Sequence, residues 1–312
     1  MDDILNKRQI GNTGVFVTEL GMGGAPLGKV THEDAGGALK ESFTQGIRYF
    51  DTAPLYGAGN SERFFGQFLS TLDRKDFILS TKVGRLIRET EGDIRITFDY
   101  KRDDILRSIE ESLKRLGMDS LDIVLIHDPD DHYDIALNEA FSTLEELRSE
   151  GVIKAIGAGM NQWEMLSDFA KNADFDCFLI AGRYTLLDHS ALDELMPVCV
   201  ERNISLILGG PYNSGILASD LNSDTTYFYD PSPRSIVDKA KKIKKVCDLF
   251  DVPLKAAAIQ FGLMHPSVAS TIPGPRNFDE VQDNINMLNV NIPSELWKEL
   301  KGQRLIHENC PD

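Results

Sequence analysis

Short runs rich in β-branched and aromatic residues alternate eight times with longer segments of helical periodicity along this 312-residue chain. The predicted strands are Leu20–Ala25, Ile47–Phe50, Phe77–Thr81, Leu121–Ile126, Val152–Ile156, Cys177–Ile180, Ile204–Leu208 and Val268–Ile272. The predicted helices are Glu33–Gln45 with Thr31 as its cap, a helix from Ser61, Arg102–Leu116, Ile135–Glu150, a helix from about Gln162, Ala191–Arg202, Ser235–Phe250, Leu254–Met264, Asp279–Met287 and Ser294–Leu300. No linker or shift of composition divides the series. Residues 1–312 are therefore expected to form one domain, a closed parallel (β/α)8 barrel of the TIM type.

Three segments lie outside this alternation. Gln9-Ile10 and Val15-Phe16-Val17 flank the turn Gly11-Asn12-Thr13-Gly14, which predicts a β-hairpin over one end of the barrel. The polar segment from Gly84 to about Tyr100 is expected to be a loop, and the segment after the seventh strand is expected to be irregular.

Composition excludes several classes of partner. The formal net charge of -16 repels nucleic-acid phosphates, and no apolar run is long enough to span a membrane. The acidic start Met1-Asp2-Asp3 lacks the features of a signal peptide. The four cysteines are far apart and form no CxxC pair, which favours reduced thiols in the cytoplasm and no zinc site. We expect a cytoplasmic protein, a monomer or small homo-oligomer, that acts on a small molecule.

Four polar residues follow the ends of three consecutive predicted strands. Asp51 ends the second strand, Tyr56 lies five residues later, Lys82 ends the third strand and His127 ends the fourth. Singly, each has an ordinary interpretation as a cap, a packed ring or a solvated charge. In a parallel barrel, however, these positions converge on one mouth, where active sites occur.

These residue types suit acid/base chemistry on an alcohol or carbonyl. A phenol has a pKa of about 10, which an adjacent ammonium lowers. We expect Lys82 to act in this way on Tyr56, Asp51 to hold Lys82, and His127 to orient a substrate oxygen. Tyr56 would then exchange a proton with the substrate while hydride moves between carbon and a nicotinamide.

Several motifs closely resemble the aldo-keto reductase superfamily, in the right order along nearly the whole chain. They are Gly11-Asn12-Thr13-Gly14, Asp51-Thr52-Ala53-Pro54-Leu55-Tyr56-Gly57, Ser80-Thr81-Lys82-Val83, Leu121-Asp122-Ile123-Val124-Leu125-Ile126-His127 and Ile272-Pro273-Gly274. The resemblance implies that Asp51, Tyr56, Lys82 and His127 form a catalytic tetrad. It also implies an NAD or NADP cofactor extended across the barrel mouth, although the chain has no GxGxxG fingerprint.

The resemblance implies a set of cofactor contacts, namely Gly24, Asn161, Arg183, Gly209, Gly210, Pro211, Ser214, Gly215, Gly274, Arg276, Glu280 and Asn284. Asn161 matches a nicotinamide contact and Asn284 an adenine contact, but Gly209-Gly210-Pro211 replaces the usual stacking tyrosine. Either another aromatic, such as Tyr212, takes that role or the ring face is bare. A carboxylate at Glu280 repels a 2′-phosphate and so favours NAD, whereas Arg276 nearby is able to pair with one.

Two further segments, Ala181–Asp188 and Gly209–Leu217, resemble the branch that contains D-threo-aldose 1-dehydrogenase, L-galactose dehydrogenase and pyridoxal 4-dehydrogenase. This implies oxidation of the anomeric carbon of an aldose such as L-fucose to a lactone, with Leu55 and Asp128 as candidate substrate contacts. The alternatives are a pyridoxal dehydrogenase, a general aldehyde or ketone reductase, and a cofactor-binding regulatory subunit. The run His127–His132 also offers metal ligands, but their spacing is not that of a settled site, and hydride transfer needs no metal.

Overall fold

The computed structural model describes residues 5–90, 93–221, 225–228 and 230–312, and the side chains of residues 89 and 90 lie outside that description. Eight parallel strands form one sheet, in which neighbours in the sheet are neighbours along the chain. We number them β1 to β8: Met22–Gly23, Tyr49–Asp51, Ile78–Val83, Ile123–His127, Ala155–Met160, Cys177–Ala181, Ser205–Gly209 and Val268–Ile272.

The sheet closes on itself between its first and last strands. Leu20 forms a parallel bridge with Thr271, and the Gly21 amide donates to the Thr271 carbonyl at 2.9 Å. This closure confirms the predicted (β/α)8 barrel.

Helices surround the barrel. The α-helices are His32–Thr44, Asn60–Leu69, Arg102–Leu116, Tyr133–Ile135, Ser142–Ser149, Glu164–Asn172, Leu195–Glu201, Arg234–Leu249, Leu254–Phe261, Phe278–Leu288 and Ser294–Gly302. The Thr31 hydroxyl accepts from the Asp34 amide and caps the first helix, as predicted. The segment predicted as one helix, Ile135–Glu150, instead contains a π-helical stretch, Ala136–Phe141. The segment predicted from Ala191 becomes helical only at Leu195. Among the described residues, none of the helices is both long enough and apolar enough to cross a membrane.

Strand β5 was predicted too early in the sequence. Val152 is 48% exposed, and the strand instead contains Gly157 and Gly159, which are usually strand breakers. Glycine is required at 157 because a Cβ there would lie 2.2 Å from the Cys177 carbonyl oxygen of the neighbouring strand. The close approach of β5 and β6 therefore explains a composition that pattern analysis misses.

The predicted N-terminal hairpin is confirmed as Lys7–Ile10 paired with Val15–Thr18. Ile10, Val15 and Val17 of the hairpin pack in one buried cluster with residues from the starts of barrel strands, including Ile123 of β4. The hairpin therefore closes the amino-terminal end of the barrel and leaves the carboxyl-terminal end open for a site.

The expected loop at Gly84–Tyr100 is wrong over most of its length. Arg85–Thr90 and Asp93–Phe98 form an antiparallel hairpin, although residues 91 and 92 lie outside the described residues. Ile94, Ile96 and Phe98 alternate with polar residues, as in a β-strand. Each of these three side chains is about half exposed or more, so the hairpin is solvated. After β7, a second small hairpin pairs Thr226–Tyr227 with Asp230–Pro231.

Candidate active site

Strands β2, β3 and β4 bring the four predicted polar residues together at the open end of the barrel. The Lys82 ammonium donates to Asp51 Oδ2 at 2.7 Å and to the Thr52 carbonyl at 2.9 Å, and both charged side chains are almost fully buried. Lys82 Nζ lies 4.8 Å from the centre of the Tyr56 ring. The rings of Tyr56 and His127 meet edge to face, with their centres 5.9 Å apart.

A tight turn between β2 and the next helix positions Tyr56. Its amide donates to the Ala53 carbonyl, and its carbonyl accepts from the Ser61 amide. The following Gly57 has φ +59, and a Cβ there would lie 2.2 Å from the Gly28 carbonyl oxygen. Only glycine fits both this backbone conformation and this contact, so the Tyr-Gly pair is a structural requirement of the turn.

The pKa of the Tyr56 phenol is raised, which corrects the expectation of a lowered one. Burial raises the pKa most, while the Lys82 charge and hydrogen bond lower it and Asp51 raises it. Lys82 therefore acts in the predicted direction but does not outweigh the loss of solvation. In the free protein the phenol is protonated at neutral pH.

Lys82 and His127 stay in the protonation states that acid/base chemistry at Tyr56 needs. Burial lowers the pKa of Lys82, but Asp51 and Tyr56 raise it more, so the ammonium persists. Burial, assisted by the charges of Lys82 and Arg85, holds the pKa of His127 well below 6.5. The neutral imidazole has one N–H to donate, and among the described residues its Nδ1 has no hydrogen-bond partner.

These pKa directions predict an asymmetric pH dependence. Oxidation needs the ionised phenol, so its kcat/KM should rise about tenfold per pH unit from pH 7 to 9. Reduction needs the protonated phenol and should be flat over that range. Neither direction should show an inflection near pH 6.5, because His127 is already neutral there. Steady-state pH profiles measure both, and an oxidation rate that levels off at neutral pH would contradict the raised pKa of Tyr56.

A cleft of about 710 Å³ runs from Tyr56 across the barrel mouth to the helix Phe278–Leu288. Ten of the predicted cofactor contacts line it: Asn161, Gly209, Gly210, Pro211, Ser214, Gly215, Gly274, Arg276, Glu280 and Asn284. At Gly215 a Cβ would have nothing within 4 Å, so the space beside this stretch of backbone is open. An elongated cleft with glycine walls and amide side chains at both ends fits a dinucleotide.

Two predicted cofactor contacts are placed differently. A Cβ on Gly24 would lie 2.4 Å from the Phe65 ring, so this glycine serves packing, while its neighbours Gly23 and Ala25 line the cleft. Arg183 donates to the Asn161 carbonyl at 2.9 Å and to Asp188 Oδ2 at 3.2 Å. Arg183 therefore holds the backbone beside Asn161.

Besides Tyr56, two aromatic side chains line the cleft, Tyr212 and Phe228. The Tyr212 hydroxyl donates to Asn284 Oδ1 at 2.7 Å, so this ring lies at the far end of the cleft from Tyr56. Phe228, which sequence analysis missed, packs 4.1 Å from the Arg183 guanidinium and beside Gly182. Phe228 was not predicted as a lining residue of the cleft, because it lies in the segment expected to be irregular.

At the far end of the cleft, Arg276 is held by Glu280. The Arg276 guanidinium donates to Glu280 Oε1 at 2.9 and 2.6 Å, and the Arg276 amide donates to Oε2 at 2.8 Å. The arginine considered able to bind a phosphate is therefore already paired with a carboxylate.

The two candidate substrate residues, Leu55 and Asp128, are not among the residues that line this cleft. Leu55 is half-buried in the same turn. Asp128 Oδ2 lies 3.7 Å from His127 Nε2 and 3.1 Å from Arg85 Nη1, and Asp128 adopts φ 37. Burial raises the pKa of Asp128, while Arg85 lowers it.

Arg85 and Tyr100 were not predicted as site residues because both lie at the ends of the segment expected to be a loop. The Tyr100 hydroxyl lies within hydrogen-bond distance of the carbonyls of His127 and Asp128, at 2.8 and 2.9 Å, and so supports the end of β4. Among the residues that the structure describes, no group of three or more metal-ligating side chains is arranged to hold an ion. His132, the second histidine of the run weighed as a metal site, packs against the Tyr100 ring.

Comparison with known proteins gives a consistent result. The sequence matches the Aldo/keto reductase family over residues 19–304. It is 36% identical to pyridoxal 4-dehydrogenase of Microbacterium luteolum, over 96% of this chain and 98% of that protein. It is 38% identical to D-threo-aldose 1-dehydrogenase of a Pseudomonas species, over 94% of this chain and 96% of that protein. The structure is similar to an aldo-keto reductase from Bacillus halodurans in its holo form, with a TM-score of 0.83 and 27% sequence identity. The similarity covers 99% of this chain and 100% of that chain. The resemblance indicated by the motifs is confirmed.

Proposed function

Because this chain belongs to the aldo/keto reductase family of oxidoreductases, we propose that it oxidises the anomeric carbon of an aldose of the L-fucose type to a lactone, with NAD as the hydride acceptor. The observation that carries the proposal is the buried cluster of Tyr56, Lys82 and Asp51 at the end of a cleft that fits a dinucleotide. The aldose dehydrogenase relative, 38% identical over nearly the whole chain, supports the choice of substrate.

In the proposed reaction, the ionised Tyr56 phenol removes the proton of the anomeric hydroxyl. Lys82 stabilises the phenolate through its charge, and Asp51 holds Lys82 in place. The neutral His127 imidazole donates a hydrogen bond to the substrate oxygen and orients it. A bound nicotinamide supplies the acceptor for the hydride that leaves the anomeric carbon.

Asn161, Gly215 and Asn284 would hold the cofactor along the cleft, and Glu280 would accept a hydrogen bond from the ribose 2′-hydroxyl. Two features support NAD over NADP. The Glu280 carboxylate repels a 2′-phosphate, and its ion pair occupies the guanidinium of Arg276.

Replacing Glu280 with alanine should free Arg276 and remove the repulsion. We expect the Kd for NADPH to fall about tenfold and that for NADH to rise, measured by quenching of protein fluorescence. Glu299→Ala, on an exposed helix surface, is the matched control. An unchanged ratio of the two Kd values in Glu280→Ala would show that Glu280 does not set the cofactor preference.

Asp128 is proposed to accept hydrogen bonds from sugar hydroxyls, with Arg85 fixing its orientation. Asp128→Ala should raise KM for the sugar about tenfold while changing kcat much less. The reason is that the lost hydrogen bond stabilises the bound substrate and the transition state equally. Asp131→Ala, at an exposed position of the same loop, should leave KM unchanged. A wild-type KM in Asp128→Ala would remove this residue from the pocket.

A panel of substrates tests the proposed function. NADH formation at alkaline pH would be followed with L-fucose, L-galactose, D-arabinose, pyridoxal and simple alcohols, each with NAD and then NADP. Strong turnover of a sugar with NAD is expected. Turnover of pyridoxal alone would favour a pyridoxal 4-dehydrogenase, the second candidate, which the relative at 36% identity supports. Consumption of NADPH with aldehydes and no oxidation would indicate a reductase, and no turnover of any kind would favour a regulatory subunit.

A cytoplasmic location is part of the proposal. All four cysteines are free and buried, which suits a reducing compartment.

A further inference from the structure

The carboxylate of Asp51 has a second hydrogen bond that faces away from Lys82. Asp51 Oδ2 accepts from Lys82, whereas Oδ1 lies 2.7 Å from Ser80 Oγ. Ser80 Oγ in turn lies 3.0 Å from the hydroxyl of Tyr49. Ser80 and Tyr49 are fully buried, and neither has a role in the reaction described above.

The direction of these hydrogen bonds is determined by the groups themselves. An ionised carboxylate only accepts, so Ser80 donates its single proton to Asp51 Oδ1 at 2.7 Å rather than to the more distant Phe50 carbonyl at 3.5 Å. Ser80 then has only lone pairs to offer, and Tyr49 must donate to it. Two O–H groups in series therefore point their positive ends toward Asp51 and, beyond it, toward Lys82.

Strand geometry explains why these residues meet. Tyr49 and Asp51 are two residues apart in β2, so their side chains point to the same face of the sheet, the barrel interior. Ser80 is the residue of β3 that pairs with Asp51 in the register between the two strands. The Tyr49 ring belongs to the apolar cluster of the barrel interior, so its hydroxyl is held without solvent.

We propose that Ser80 and Tyr49 are positioning residues that hold Asp51 and thereby set the pH at which Tyr56 releases its proton. The inference rests on the proposed role of Tyr56 as acid and base, but not on the identity of the substrate.

The groups that face Tyr56 and Asp51 shift the pKa of Tyr56 in opposite directions. Lys82 lowers the pKa of Tyr56, whereas Asp51 and Asp128 raise it, and the neutral His127 ring lies against it. Cys177 also neighbours Tyr49 and Asp51, and burial keeps its thiol protonated by raising its pKa. The two O–H dipoles partly offset the negative charge of Asp51. Their removal should make the potential at the phenol more negative and its proton harder to remove.

The test is a double-mutant cycle read out as a pH profile. Ser80→Ala and Tyr49→Phe each delete one hydroxyl and add no atom. Ser80→Ala should move the alkaline limb of the kcat/KM profile to higher pH by about half a pH unit, and Tyr49→Phe should move it less in the same direction. The double variant should match Ser80→Ala, because Tyr49 acts only through Ser80. Ser108→Ala, a buried serine on the helix Arg102–Leu116, is the control and should shift nothing.

In the oxidation of a sugar, kcat/KM rises as the phenol ionises with increasing pH. In the reduction of a simple aldehyde, kcat/KM falls at high pH as the phenol loses its proton. Both limbs report the same phenol, so failure of the sugar assignment leaves the inference testable through aldehyde reduction. Wild-type limbs in both single variants would overturn it. A shift in the double variant equal to the sum of the two single shifts would also overturn it, since Tyr49 would then act independently of Ser80. If Ser80→Ala fails to fold, Tyr49→Phe provides the test. An alkaline limb of the kcat/KM profile at the wild-type position in Tyr49→Phe would then contradict the proposal.

Discussion

Replacing Tyr56 with phenylalanine is expected to lower kcat about a thousandfold in either reaction direction. The variant removes the only group in the proposed mechanism that exchanges a proton with the substrate. It keeps the ring that packs edge to face on His127 and lies under Lys82. The fold and the Kd for the cofactor should therefore be unchanged, so the loss should fall on kcat.

Tyr133→Phe is the matched control for that experiment. Tyr133 stacks on Phe169 with ring centres 5.2 Å apart, and its hydroxyl accepts a long hydrogen bond, 3.3 Å, from Asn172. This change removes the same atom from a residue that does not line the cleft and should leave kcat at the wild-type value. If Tyr56→Phe kept more than about a tenth of the wild-type kcat, the acid/base role of Tyr56 would be wrong.

Lys82→Met is expected to affect stability as well as activity. The ion pair of Lys82 and Asp51 is almost fully buried, with 2.7 Å between the charged atoms. Removing one partner leaves a buried charge without compensation, which costs about 3–5 kcal/mol. Urea denaturation should show this loss in the free energy of unfolding, together with loss of turnover.

A second variant separates the charge effect from packing. Asp51→Asn combined with Lys82→Met removes both charges and should recover most of the lost stability, but none of the activity. Lys75→Met is the surface control, because Lys75 and its partner Asp73 are both more than 70% exposed and 3.9 Å apart. Equal unfolding free energies for wild type and Lys82→Met would contradict the importance assigned to this pair.

The barrel and three of the four polar residues at its mouth were predictable because both follow from periodicity. Parallel strands covered on both sides are mostly apolar, so a titratable residue at the end of a strand is conspicuous. Asp51, Lys82 and His127 stood out for that reason, and barrel closure brings such ends together.

The errors arose where tertiary contacts outweigh local pattern. Strand β5 was misplaced because Gly157 is selected by the closeness of the neighbouring strand, which one sequence does not reveal. Arg85 and Tyr100 were overlooked because the hairpin between them is polar enough to pass for a loop. The pKa of Tyr56 was expected to fall because the adjacent charge was considered without the burial that opposes it.

Tracing the anomeric hydrogen tests the central claim most directly. L-fucose carrying deuterium at its anomeric carbon would be incubated with the wild-type protein and NAD, and the NADH and sugar products would be examined by NMR. The proposed function predicts one deuterium on the C4 carbon of NADH for each lactone formed, and a rate of transfer about a thousandfold lower with Tyr56→Phe. NADH without deuterium, or lactone formed equally well by Tyr56→Phe, would contradict it.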